Sequence, residues 1–234
     1  MKSKSCITIC AAIAFFFPSY VIANTVIDFE QPLPGGLVAT SYVQSTIVPA
    51  SARVTDQYLN VGLIIDGAAL VALPSGSAPS GFNGLAGIDG NGRIDYDTPV
   101  SFSFFAAGNG GVLGTTDFFG YSADLFGSSG NIITISAYGL DGSLVGQASY
   151  TETGNFTTPL TISGVGQFHS VTVDQTLYNT SSGGIALDLV QFGNISIAAI
   201  PEPQTYAMLL AGLSLLGFMA RRKKQNIQSD RKVL

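Results

Sequence analysis

The stretch Ile132–Tyr150 reads IITISAYGLDGSLVGQASY, and its pattern indicates how the whole chain folds. On both sides of the central Gly-Leu-Asp-Gly-Ser, β-branched and aromatic residues alternate with small or polar ones, as is typical of half-buried strands. The dipeptide Asp141-Gly142 is a strong indicator of a type I′ turn between two antiparallel strands. The stretch therefore predicts a β-hairpin with strands over 131–138 and 144–151.

Similar short runs of Val, Ile, Thr and Phe recur between turn residues, and no segment with helical periodicity precedes Thr205. This pattern is typical of an all-β chain. One exported domain, residues 24–197, with two packed antiparallel sheets in a jelly-roll-like β-sandwich accounts for it best. We expect long loops at 74–93 and 106–117. We expect further strands at 25–30, 37–48, 52–60, 61–65, 68–73, 99–106, 156–163, 167–173, 185–192 and 194–199.

The first 23 residues have the pattern of a secretory signal peptide. Lys2 and Lys4 precede an apolar stretch, and Val21-Ile22-Ala23 supplies small or apolar residues at the cleavage position. Removal of residues 1–23 would also remove both cysteines of the chain. The exported domain would then contain no disulfide, no thiolate metal site and no catalytic cysteine.

The end of the chain has three parts in succession. Pro201-Glu202-Pro203 comes first, and its prolines enforce an extended backbone because each fixes φ and disfavours helix in the residue before it. An apolar run to Ala220 comes second. The third part is a basic cluster that marks the cytoplasmic side of a membrane, made of Arg221, Arg222, Lys223 and Lys224.

The apolar run is short for a membrane-spanning segment. As a helix, residues 206–220 would extend about 22 Å, whereas the bilayer core is about 30 Å thick. We predict a single short transmembrane helix over 205–220, followed by a polar cytoplasmic tail over 225–234. A plain C-terminal membrane anchor is the alternative interpretation.

The order of triplet, short apolar run and basic cluster over 198–224 resembles the PEP-CTERM sorting signal of Gram-negative bacteria. The resemblance implies that exosortase, an enzyme of the inner membrane, recognises the segment and processes it near Pro201-Glu202-Pro203. It also implies export through the inner membrane, a membrane-anchored precursor, and a final place at the cell surface or in the extracellular matrix. In the family the signal usually ends close to the basic cluster, whereas this chain continues for ten more residues.

The charge of the exported domain is strongly negative. Residues 24–200 contain thirteen acidic residues, no lysine and only Arg53 and Arg93, so their net charge is −11 with the histidine neutral. Such a domain repels polyanions, which argues against nucleic acid as a partner. It attracts divalent cations, and a structural calcium ion is the one cofactor that the composition favours.

The two ends of the exported domain resemble the first and last strands of jelly-roll galactose-binding and carbohydrate-binding modules. The resemblance rests on Ile27-Asp28-Phe29-Glu30 and on the segment from Gly184 to Phe192. In those modules an early acidic residue and a late aspartate often share a structural calcium ion. The resemblance therefore implies Glu30 and Asp188 as calcium ligands, although the second aspartate that often follows is Leu189 here.

A second calcium candidate is the loop from Asp89 to Asp97. Side-chain oxygens alternate there at Asp89, Asn91 and Asp95, and a hard cation needs several oxygens on a tight turn. The loop lacks the glycine and the glutamate of a complete calcium-binding motif. The alternative is a solvated Asn-Gly turn between two strands.

No group of residues indicates catalysis. His169 is the only histidine, no G-x-S-x-G motif is present, and an ordinary surface histidine is the simpler interpretation. Phe118, Phe119, Tyr121 and Phe126 could stack on sugar rings, although core packing at strand ends is the alternative. No ligand-binding residue can be assigned from the sequence.

Three classes of function remain. The first is a non-catalytic surface or matrix protein that exosortase sorts, linked to exopolysaccharide. The second is a calcium-dependent carbohydrate-binding module delivered by the same route, and the third is a secreted hydrolase.

Overall fold

The computed structural model describes residues 24–30, 32–74, 79–125, 132–151, 159–176, 185–197 and 208–216. The predicted signal peptide, the Pro201-Glu202-Pro203 triplet, the basic cluster Arg221–Lys224 and the tail 225–234 lie outside these residues. Structural predictions about those segments therefore stay predictions.

The described chain is mostly β, as the sequence predicts. Three short 3-10 turns, Pro34–Gly36, Ala50–Ala52 and Leu59–Val61, are the helical segments that precede the C-terminal region among these residues. The strands are β1 (Thr25–Ile27), β2 (Thr40–Ser41), β3 (Arg53–Val54), β4 (Leu63–Asp66), β5 (Ala68–Ala72), β6 (Asn83–Gly87), β7 (Val100–Ala106), β8 (Asn109–Leu125), β9 (Ile132–Tyr138), β10 (Leu144–Thr151), β11 (Leu160–Phe168), β12 (Ser170–Thr176), β13 (Ile185–Phe192) and β14 (Ser196–Ile197).

The strands form one continuous hydrogen-bonded network of fourteen strands. One arm has the order β10-β9-β12-β7-β4, and the other has the order β11-β8-β13-β6-β5, with β1 beside β13 and with β2 and β3 beside β5. The long strand β8 joins the arms, because its first residues pair with β7 and its later residues pair with β11 and β13. Two separate sheets and a jelly roll, as predicted, are therefore not confirmed.

The two arms share a core of aromatic rings. The ring centroid of Phe102 on β7 lies 4.9 Å from that of Phe119 on β8. Phe104 on β7 lies 5.6 Å from Phe192 on β13 and 6.1 Å from Phe168 on β11. All five rings are almost completely buried. Among the described residues, β7 and β8 pair only at Phe105 with Leu113 and at Ala106 with Asn109, so beyond that pairing the packed rings hold the arms against each other.

The predicted strands at 37–48 and 52–60 are wrong for most of their length. Only Thr40–Ser41 and Arg53–Val54 are strands there, and the remaining chain covers the outer side of β5 and β6. The side chains of residues 37–48 and 52–60 do not alternate regularly between buried and exposed, as those of a half-buried strand do. The cover buries Ala69 and Val71, which point away from the main core, so β5 is buried on both faces.

The two predicted loops also contain strands. β6 lies within the predicted loop 74–93, and β8 begins at Asn109 within the predicted loop 106–117. The glycine-rich start of β8 is held as a strand on two sides: it forms a tight hairpin with β7, where Leu113 pairs with Phe105, and Gly114 pairs with Ile197 of the distant strand β14. The two loop predictions are therefore wrong in these parts, because they relied on glycine content.

The hairpin of β9 and β10 is confirmed, but its turn is not type I′. A type I′ turn needs positive φ at both central residues, whereas here Gly142 has the positive φ, 76°. Gly139 N–H donates to the Ser143 carbonyl at 2.9 Å, and Gly142 N–H donates to the Gly139 carbonyl at 3.0 Å. This is the pattern of a type I turn followed by a left-handed glycine, which a three-residue hairpin loop uses.

Among the residues that the structure describes, one α-helix, α1, covers residues 208–216 within the predicted span 205–220. Its six large apolar side chains are 57–75% exposed, so the helix packs on nothing that is described. In the described part of the chain, no helix is long and apolar enough to cross a membrane. The predicted transmembrane helix is therefore not confirmed.

Candidate functional site

Glu30 and Asp188, far apart in sequence, meet at one segment, residues 79–83, which is a loop up to Phe82 and begins β6 at Asn83. The Asp188 carboxylate accepts hydrogen bonds from Ser80 N–H at 2.7 Å and from the Ser80 hydroxyl at 2.8 Å. The Glu30 carboxylate accepts from Phe82 N–H at 2.7 Å and from Asn83 N–H at 2.9 Å. We call these four groups, Glu30, Asp188, Ser80 and Asn83, the carboxylate clasp.

The clasp joins both ends of the exported domain. Asp188 lies on β13, Glu30 follows β1, and the Asn83 amide donates to the Phe29 carbonyl at 3.1 Å. Phe29 and Leu189, the immediate neighbours of the two acids, have positive φ of 56° and 45°. Non-glycine residues adopt such conformations only where surrounding contacts enforce them. The clasp therefore fixes the geometry of the residues beside it.

Asp188 is a buried ionisable group, with no exposed surface. Burial raises the pKa of the Asp188 carboxyl above its usual range, and the nearby negative charge of Glu30 acts in the same direction. Hydrogen bonds from Ser80 and from Leu189 N–H at 2.7 Å lower that pKa and oppose the burial. The carboxylate is held in place by donors rather than by a basic side chain.

The carboxylate and carbonyl oxygens of the clasp are ligand types that calcium prefers. However, the oxygens of both acids already accept hydrogen bonds from residues 80–83 and 189, and the Asp28 carbonyl, 2.9 Å from the Ser80 hydroxyl, shares the single proton of that hydroxyl with Asp188. The clasp is thus satisfied without an ion. No group of three or more His, Cys, Asp or Glu side chains suited to a metal occurs among the described residues. Calcium binding stays a prediction.

The loop at Asp89 folds as a local turn. The Asp89 carboxylate accepts from Asn91 N–H at 2.9 Å and from Arg93 N–H at 2.8 Å, and the Arg93 hydrogen bond is the largest cause of its lowered pKa. The Asp95 carboxylate instead bonds Gln44 and Thr98, at 2.9 and 3.0 Å. Of the three predicted ligands, Asp89 and Asn91 thus bond each other, whereas Asp95 belongs to a separate hydrogen-bonding group.

His169 and the aromatic residues have structural contacts. The His169 ring bonds the Gly114 carbonyl through Nδ1 at 2.8 Å and lies edge-on to Phe105, so it is half-buried rather than an ordinary surface residue. Phe119 and Tyr121 are fully buried in the core. Phe118 is only half-buried, on the opposite face of β8, and Phe126 lies outside the described residues.

A groove of about 610 Å³ lies beside Phe118, where β8 faces β11. Its lining consists of Asn24, Asp117, Phe118, Ser163, Gly164, Gly166 and Gln167. No local sequence pattern indicates this groove, because its two strands and Asn24 are brought together only by the sheet. A half-buried ring among polar side chains is suited to binding a ligand that has both apolar and hydroxyl-bearing faces.

The comparisons with known proteins identify the C-terminal segment. The family model of the PEP-CTERM protein-sorting motif matches residues 199–223, so the predicted sorting motif is confirmed. The motif implies an exported protein that is targeted to exosortase, a membrane enzyme that processes it, with membrane anchoring before processing. No curated protein sequence matches the chain.

Two solved structures have low similarity to the chain. The enzymatically active domain of tailspike protein 4 from bacteriophage CBA120 is 10% identical with a TM-score of 0.24, over 69% of this chain and 22% of that one. Arabinose-bound MgGH51 α-L-arabinofuranosidase is 13% identical with a TM-score of 0.25, over 75% and 31%. The chain spans less than a third of the length of either structure, and scores this low do not establish a shared fold.

Proposed function

We propose that the protein is a non-catalytic component of the cell surface or extracellular matrix, sorted by exosortase and linked to exopolysaccharide. The observation that carries the proposal is the place of the sorting motif. The motif begins at residue 199, two residues after the last strand, Ser196–Ile197. Processing near Pro201-Glu202-Pro203 would therefore release the entire β region.

The hydrogen-bond partners of the candidate acids and bases support a non-catalytic role. His169 is bonded to a backbone carbonyl, and Glu30 and Asp188 hold the segment 79–83. A catalytic acid or base needs a proton-transfer partner within hydrogen-bond reach of a substrate. These three groups instead have backbone partners.

Substitution of both prolines of the triplet tests the sorting. In Pro201→Ala/Pro203→Ala, φ is no longer fixed and two backbone donors return, so the extended presentation of Glu202 is lost. We expect the variant to accumulate in the membrane as an unprocessed form about 3 kDa larger, since 31 residues of the 234-residue, 24.3 kDa chain follow Pro203. The measurement is an immunoblot of membrane and outer fractions from the native host.

The control is Pro32→Ala, which changes an exposed proline of the β region and leaves the triplet intact. It should be processed like the wild type. Equal size and location for the wild type and the double variant would contradict exosortase sorting and favour the plain C-terminal anchor.

A second candidate, a calcium-dependent carbohydrate-binding module, is favoured by the meeting of Glu30 and Asp188 at one segment. An ion that binds only the folded state stabilises it by about 2.7 kcal/mol at a hundredfold excess over Kd. Thermal melting with calcium or with chelator should then differ by several degrees, and Asp188→Asn should remove the difference. Superimposable melting curves of the wild type would refute this candidate.

A further inference from the structure

The groove beside Phe118 owes its shape to a bulge in β11. Ser163 pairs with Phe118 and Phe168 with Thr116, so four residues of β11 stand against one residue of β8. Gly164 and Gly166 have φ of 71° and 98° within this bulge, a region that glycine adopts without strain. The bulge moves the chain away from β8 and opens the groove.

The bulge is held from its other side by β10. A Cβ placed on Gly146 of β10 would lie 2.6 Å from Val165 Cγ1, so the Val165 side chain fills the space that this glycine leaves. The Tyr150 hydroxyl of β10 donates to the Thr161 carbonyl at 2.6 Å. The groove wall is therefore formed before any ligand arrives, which lowers the entropic cost of binding.

The Phe118 ring lies along the face of the sheet that is turned away from the core. A Cβ on Gly120, two residues further along β8, would lie 3.5 Å from Phe118 Cζ, so the ring lies over the space that Gly120 leaves empty. The ring is half-buried, whereas its neighbour Phe119 is fully buried. One side of an aromatic ring is thus available at the groove.

The remaining lining supplies hydrogen-bonding groups. The side chains of Asn24, Asp117, Ser163 and Gln167 are exposed, and none of them has a hydrogen-bond partner among the described residues. Together they offer amide donors, amide and carboxylate acceptors and a hydroxyl. A sugar ring matches this set, because it has an apolar C–H face that stacks on an aromatic ring and a rim of hydroxyls.

The charge selects among saccharides. Asp117 is the one charged side chain of the lining, and the exported region carries −11 overall. An acidic polysaccharide would be repelled both by Asp117 and by the field of the whole region. We propose that the groove between β8 and the β11 bulge binds an uncharged polysaccharide, with the Phe118 ring as its stacking surface.

This inference deepens the proposed function, because it assigns the place where the surface protein contacts polysaccharide. The test uses the full chain purified in detergent, in affinity electrophoresis through gels that contain a soluble glucan, mannan, galactan or polyuronate. At least one of the three uncharged polymers should retard the protein, and the polyuronate should not. Binding by the purified chain and processing in the host are measured separately, so either can fail without the other.

Phe118→Ala should weaken the retardation by about tenfold in apparent affinity, because the stacking surface is lost. Phe118→Tyr should be retarded like the wild type. Thermal melting of both variants at the temperature of the wild type shows that folding is unchanged. Phe82→Ala, which removes a ring that is 58% exposed and not part of the groove, is the matched control and should bind like the wild type.

Three results would overturn the inference. They are no retardation by any uncharged polymer, retardation by the polyuronate alone, and equal retardation of the wild type and a folded Phe118→Ala variant. If Phe118→Ala melts early, Gln167→Ala replaces it, since Gln167 is exposed and lines the groove. Unchanged binding by Gln167→Ala would then count against the groove.

Discussion

Asp188 shows how a single buried residue determines local structure at several places. Its carboxylate accepts hydrogen bonds from the Ser80 backbone and hydroxyl and from Leu189 N–H. An asparagine has the same size but presents only one acceptor oxygen and a donating amide group. Two donors would then face each other in a site without solvent, which costs about 1–3 kcal/mol.

We therefore expect Asp188→Asn to lower the free energy of unfolding at neutral pH. The effect should depend on pH with a definite sign. Burial raises the pKa of the Asp188 carboxyl in the folded state. This carboxyl therefore contributes most to the stability of the wild type when it is protonated, at pH values below its unfolded pKa, and the contribution is lost as the pH rises through the folded pKa. The difference between wild type and variant should shrink as the pH rises above about 4.

Urea unfolding from pH 3.5 upwards measures this difference, and subtraction of the variant's curve removes the contribution of the other carboxyls. Asp174→Asn, at an exposed position of β12, is the control and should leave stability nearly unchanged at all pH values. A stability difference that widens with rising pH would show that burial does not dominate at Asp188.

At the scale of the element, the hairpin of β9 and β10 depends on one glycine. Gly142 has φ of 76°, while the Asp141 carboxylate accepts from Ser143 N–H at 3.0 Å and from the Ser143 hydroxyl at 2.6 Å. A Cβ at position 142 would meet no other atom within 4 Å. Backbone strain is therefore the only cost of adding one.

Gly142→Ala should destabilise the protein by about 1 kcal/mol, the usual cost of a left-handed conformation for a residue with Cβ. Gly90→Ala is the matched control, because position 90 also has free space around it but no left-handed φ. The control should be neutral or slightly stabilising. Equal changes in the urea midpoint for the two variants would contradict the assigned loop conformation.

At the scale of the whole molecule, the aromatic core packs the two arms against each other in addition to the hydrogen bonds by which β8 pairs with β7. The Phe104 ring contacts those of Phe119, Phe168 and Phe192. These contacts join β7 of one arm to three strands of the other. Removal of the ring would leave a cavity at the meeting of both arms.

Phe104→Ala should therefore lower the free energy of unfolding by about 3–5 kcal/mol. Phe82→Ala removes the same side chain from an exposed position and should cost less than about 0.5 kcal/mol. Denaturant unfolding of both variants checks the difference. A small effect of Phe104→Ala would mean that the arms are held together in another way.

The sequence by itself determined the β class, the hairpin at Asp141-Gly142, the negative charge and the C-terminal sorting motif. These features depend on neighbouring residues, because side-chain alternation, turn geometry and the order of short segments are local properties. The structure brings Glu30 and Asp188 to one segment, while their role as calcium ligands stays a prediction. Their partners Ser80 and Asn83 were missed, since a serine and an asparagine have no distinctive local pattern.

The tertiary structure alone decided which strands are neighbours. The glycine-rich segment 109–114 becomes part of β8 because β7 and β14 supply its hydrogen bonds, and the segment 37–48 covers a second apolar face of β5. The same pairing places Phe119 in the core and Phe118 in a groove with Gln167. Apart from the β7–β8 hairpin, these contacts join residues far apart in the chain, and no local pattern identifies the partner.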